Sequence, residues 1–99
     1  MSKFVNNTID LGTVKEREYL DIYFEFKDNE MDNFSYCTNY CGGCIDIKEC
    51  ENNKLHITLY TGTIPLHLDT NTYNLYKSLS VIFNDNTSEE LTIKALLIK

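Results

Sequence analysis

An all-β sandwich of about seven short strands, in one domain spanning residues 1–99, is the fold this sequence predicts. Several runs alternate apolar and polar residues with a period of two. Turn-forming clusters recur about every ten residues, and no stretch carries a helical period. A chain of 99 residues is long enough for a single hydrophobic core.

The first strand is expected over residues 8–14, with Ile9, Leu11 and Val14 on its apolar side and Gly12 where a strand bulges or bends. Residues 17–27 alternate most cleanly. Leu20, Ile22, Phe24 and Phe26 share a buried face, and Tyr19, Asp21, Tyr23, Glu25 and Lys27 share a wet one. Residues 28–33 form a polar loop whose acids Asp28, Glu30 and Asp32 invite a calcium reading. The EF-hand pattern fails there, because Asn33 stands in place of the glycine and Asn39 in place of the bidentate glutamate; an ordinary solvated turn is the plainer reading.

After a cysteine-rich loop, residues 51–54 turn the chain into a strand over 55–60 with Leu55, Ile57 and Leu59 inward. Residues 64–68 are expected to add an edge strand, since Pro65 has no N–H for a ladder. Residues 69–72 turn, residues 76–83 form a strand with Leu79, Val81 and Phe83 inward, and residues 84–87 carry a hairpin-turn signal. The closing run over 90–98 is apolar on both sides at its end, through Leu96 and Ile98. It calls for a place in the middle of a sheet or a neighbouring subunit against it.

The net charge is −6, and residues 1–50 hold ten of the fifteen acids. That balance repels phosphate backbones and anionic lipid, so nucleic acid and membrane surfaces are poor partners. A solvated acidic surface is the plain reading and a basic protein partner the sharper one. No run approaches the roughly 18 apolar residues of a membrane span, and the first residues lack the apolar core and cleavage site of a secretory signal. Lysine outnumbers arginine eight to one, as AT-rich genomes tend to encode. The expected setting is a virion or the host cytoplasm.

All four cysteines fall in one stretch, Cys37, Cys41, Cys44 and Cys50. Cys41-Gly42-Gly43-Cys44 has the spacing of a zinc knuckle, and Cys37 and Cys50 could complete a tetrahedral site, with His56 or His67 able to replace one ligand. Disulfides are the second reading: a Cys41–Cys44 redox pair, or a Cys37–Cys50 staple in an oxidising setting. Free thiols are the third, and a bare iron–sulfur cluster the remotest, since a radical-SAM enzyme needs a large α/β barrel. The four glycines make no phosphate-cradling loop or nucleophile elbow, and no residue nominates itself for catalysis. His56 and His67 each alternate with apolar neighbours and are expected to face solvent. Tyr36, Tyr40 and Tyr60, near the cysteines, are candidates for a partner-binding patch, because tyrosine is enriched at interfaces.

The order Ile9-Asp10-Leu11-Gly12-Thr13-Val14, then Phe24-Glu25-Phe26, then Cys41-Gly42-Gly43-Cys44, then Leu91-Thr92-Ile93-Lys94-Ala95 resembles the Hydin/ASPM-like immunoglobulin-type domain. Short versions of that domain occur in bacteria and tailed phages. The resemblance implies an immunoglobulin-like sandwich that binds or builds, with no enzymatic activity. This chain departs from the family in having four cysteines in place of a close pair, and in lacking a Pro-Gly turn after them. The expected function is a structural or interaction module of a larger assembly, such as a phage virion or capsid-decoration protein. The rival is a small zinc-binding or redox-responsive regulator of a protein partner.

Overall fold

The structure, a computed structural model, describes residues 3–28, 30–39 and 44–99. The described residues form β1 (Thr8–Lys15), β2 (Tyr19–Glu25), β3 (Phe34–Asn39), β4 (Ile45–Glu51), β5 (Lys54–Tyr60), β6 (Thr72–Phe83) and β7 (Ser88–Ile98), with a 3-10 turn at Glu30–Asn33. The protein is all-β. Its strands make a four-stranded sheet in the order β1-β7-β6-β3 and a three-stranded sheet in the order β2-β5-β4.

The period-two pattern dictates which side of each strand is buried. Ile22 and Phe24 from β2, and Leu55, Ile57 and Leu59 from β5, line one half of the core. Leu79, Val81 and Phe83 from β6, with Leu91 and Ile93 from β7, line the other. Phe4 joins them from the N-terminal arm and is fully buried. Its ring lies 4.6 Å from that of Phe26, 6.2 Å from Phe24 and 6.1 Å from Phe83. The arm forms an antiparallel bridge, Phe4 to Phe26, against the end of β2.

Two turns place asparagine where the backbone is left-handed, whereas the β1–β2 turn puts Arg17 there, at φ 58°. Asn52 and Asn53 both have positive φ between β4 and β5, and asparagine tolerates that region better than most side chains. Between β6 and β7, Asn86 has φ 68°, and Phe83 N–H donates to the Thr87 carbonyl at 2.9 Å. Gly12 has φ 71° where the β1–β7 register shifts, the bulge expected at that glycine. Thr61 ties the β1–β2 turn to the end of β5. Its hydroxyl donates to the Lys15 carbonyl at 2.8 Å and accepts from Glu18 N–H at 2.9 Å.

β7 is central, between β1 (parallel) and β6 (antiparallel), yet its end is covered on the inner face alone: Ala95 and Leu97 are buried, whereas Leu96 on the outer face is 38% exposed. Other expectations need correcting. Residues 64–68 are a turn, not an edge strand: Leu68 N–H donates to the Pro65 carbonyl at 3.1 Å, Ile64 is buried as an anchor and Leu66 is 98% exposed. His67 therefore sits on an exposed turn. The cysteine stretch is not simply a loop, because Cys37 lies in β3 and Cys50 in β4. These two strands are edges with shifted register, so neither shows the clean alternation that marks β2.

Candidate functional site: the outer face of the three-stranded sheet

β2 and β5 pair without a register shift, which sets the wet residues of β2 directly opposite those of β5: Tyr19 by Tyr60, Asp21 by Thr58, Tyr23 by His56 and Glu25 by Lys54. The Tyr19 and Tyr60 rings lie 4.8 Å apart, and Tyr23 stacks on His56 at 4.5 Å with 14° between the planes. His56 Nε2 is 2.9 Å from Asp21 Oδ1, so the imidazole is fixed by a ring on one strand position and a carboxylate on the next. Tyr19 is 74% exposed and Tyr23 51% exposed. β4 extends the face with Asp46 beside Thr58, Glu49 beside His56 and Glu51 beside Lys54. Lys48 stays on this side, donating to Asp46 Oδ2 at 2.8 Å, and that contact raises its pKa.

The result is an aromatic strip in an acidic field. Asp21, Glu25, Asp46, Glu49 and Glu51 outnumber Lys48 and Lys54 on one side of the sandwich. Exposed tyrosine with carboxylates around it offers flat apolar contact, cation–π attraction and charge-assisted hydrogen bonds to a cationic partner.

The structure separates the tyrosines grouped from sequence. Tyr60 belongs to this face, whereas Tyr36 is 53% exposed on β3, opposite Ile82 on the outer side of the other sheet. Tyr40 lies outside the described residues. Tyr19 and Tyr23 were readable as wet residues of their strand. Their partnership with Tyr60 and His56 was not, because β2 and β5 are joined by no hairpin.

The cysteines stand elsewhere. Cys37, opposite Val81, and Cys50, opposite Leu55, are half-buried free thiols packed against the core from the edge strands of the two sheets. Burial pushes the Cys37 thiol up to about 12, with a smaller push from Cys50, and burial raises Cys50 as well. Cys44 is disulfide-bonded, and its carbonyl accepts the Tyr60 N–H at 2.7 Å. Cys41 lies outside the described residues. In this state Cys44 is a disulfide sulfur, whereas zinc takes thiolates. His56 is on the outer face and His67 on an exposed turn, away from the inward thiols. Among the described residues no group of three or more His, Cys, Asp or Glu side chains is arranged to hold a metal ion. Of the acids proposed for calcium, Glu30 is engaged by Lys3 Nζ at 3.7 Å and Asn33 Nδ2 at 3.5 Å.

Among the described residues no helix is long and apolar enough to cross a membrane. No family model, curated protein or solved structure matches this chain.

Proposed function

We propose that this chain is a non-enzymatic interaction module of a larger protein assembly, with the outer face of the three-stranded sheet as its contact surface. The observation that carries the reading is the pair of cross-strand aromatic couples, Tyr19–Tyr60 and Tyr23–His56, whose Tyr19 and Tyr23 rings stand exposed among carboxylates. The partition of strands supports an immunoglobulin-like sandwich. The second, fifth and fourth strands share one sheet and the third, sixth and seventh the other, as B-E-D and C-F-G do, with the first strand joined to the C-F-G side. The assembly that suits a small acidic subunit of this kind is a phage particle, where it serves as a structural or capsid-decoration protein. The test is its presence in purified particles, and the effect of Tyr19→Ser with Tyr23→Ser. Both side chains are exposed, so the variant folds normally and is lost from the assembly. Incorporation of the folded double variant at the original level would sink the reading.

A second reading, a redox-responsive regulator, rests on a separate observation: Cys44 is oxidised while Cys37 and Cys50 remain thiols. Partner binding that changes when Cys44 is reduced would favour it.

A further inference from the structure

The two sheets have four edge strands, and three are blunted. The register shifts in β1 between Asp10 and Thr13, in β3 between Phe34 and Tyr36, and in β4 between Ile47 and Glu49. Such irregularities, and a lysine at the β4 bulge, are how natural sheets keep other chains from adding to them. β2 has no such shift over its whole length.

Hydrogen bonds show which way its backbone points. Tyr60 N–H goes to Cys44, on the β4 side, so the Tyr19–Tyr60 pair is not hydrogen-bonded. Thr61 N–H goes to the Glu18 carbonyl and Phe26 N–H to the Asn53 carbonyl. The even residues of β2 therefore bond to β5, and the odd ones turn their N–H and C=O outward. At one end the outward groups are used: Val5 N–H donates to the Glu25 carbonyl and Lys27 N–H to the Lys3 carbonyl, both at 2.9 Å. From Tyr19 to Tyr23, no backbone hydrogen bond among the described residues reaches the outward groups.

We infer that the free edge of β2 from Tyr19 to Tyr23 accepts an extended, arginine- or lysine-bearing segment of a partner protein as an added strand. This rests on the contact-face reading above and names how the partner engages it. The backbone of Tyr19, Asp21 and Tyr23 supplies the ladder, and an added strand continues the aromatic, acidic face by one row. Charge selects the occupant. A second copy paired antiparallel about the middle of this stretch would set Asp21 against its own counterpart, and each chain carries −6. A strand with cationic side chains on its outer face meets Asp21 favourably and lies beside the Tyr19 and Tyr23 rings.

Amide hydrogen exchange on the full chain tests this. In the free protein Tyr19, Asp21 and Tyr23 amides exchange at least about tenfold faster than those of Leu20, Ile22 and Phe24. The probe is a synthetic peptide of about nine residues with arginine at alternate positions. It slows the three odd amides by about tenfold or more, whereas a glutamate counterpart and an arginine peptide methylated at alternate backbone nitrogens do not. Asp21→Pro removes an outward N–H without breaking the β5 ladder, so it keeps the fold and abolishes the slowing. Asp21→Asn keeps the N–H and only weakens it. No slowing by the arginine peptide at millimolar concentration, or equal slowing by the glutamate peptide, overturns the inference. So does slow odd-amide exchange in the free protein that depends on its concentration, which would put a second copy on the edge. If folded Asp21→Pro still enters the assembly while Tyr19→Ser/Tyr23→Ser does not, the edge inference fails and the contact face stands. If both enter, the contact face fails too.

Discussion

Phe4→Ala is the most demanding test of the core. Phe4 precedes the first strand, yet its side chain is fully buried and within ring-contact distance of three other phenylalanines from both sheets. Truncating a buried phenylalanine costs about 3–5 kcal/mol, of which each aromatic pair supplies about 0.5–1.5 kcal/mol. A domain of this length holds roughly 5–15 kcal/mol in all, so the loss is about a fifth or more of the total. At about 4–8 °C per kcal/mol the melting temperature falls by roughly 12–40 °C. Phe4→Leu, which keeps most of the apolar atoms, costs about 1–2 kcal/mol. Urea and thermal melts followed by far-ultraviolet circular dichroism measure both variants. A loss below about 1 kcal/mol for Phe4→Ala would refute the wedge, because it would mean that the N-terminal arm lies on the sandwich without plugging it.

Gly12→Ala places a Cβ in open space but forces a left-handed backbone on alanine. Urea melts should show a loss of about 1–2 kcal/mol from conformation alone, and Gly12→Asn should lose less. Cys37 and Cys50 should react slowly with a disulfide reagent in the native protein at mildly alkaline pH and fast in urea, since both thiols are held neutral. Their raised folded-state pKa values also mean that the unfolded chain loses protons first. Stability therefore falls as pH climbs past about 9 toward the folded value, and Cys37→Ala flattens that limb. On the acid side, the hydrogen bond from Lys3 Nζ at 2.6 Å, aided by Thr87, holds Asp85 well below the usual carboxylate range. Its contribution is present above about pH 4 and is lost as pH falls through the lowered folded value, so urea midpoints of Asp85→Asn should depend less on acid.

What could be read from the chain was local. Leu20, Ile22 and Phe24 alternate because one face of β2 is buried, and Leu55, Ile57 and Leu59 do the same in β5. Asn52-Asn53 and Asn84 to Thr87 announced their turns. The both-sided apolar end of β7 fits its central place, though Leu96 on the outer face stays exposed. What could not be read was non-local or irregular. The bulges in β3 and β4 disturb their periods. Ile64, Leu66 and Leu68 alternate like a strand, although only Ile64 is an anchor. The contact face required knowing that β2 lies against β5, and no turn between them records it.

The parallel union of β1 with β7 has a bearing on biosynthesis. All three strands of the smaller sheet have been translated by Tyr60, but the strand that completes the larger one ends at Ile98. At cellular elongation rates the interval is roughly 2–8 s. Throughout it, the lid over Ile22, Phe24, Ile57 and Leu59 lacks Leu91 and Ile93, and the opening strand has no mate. The nascent polypeptide is most vulnerable to sticking in that window, which ends only when its last strand slides between β1 and β6.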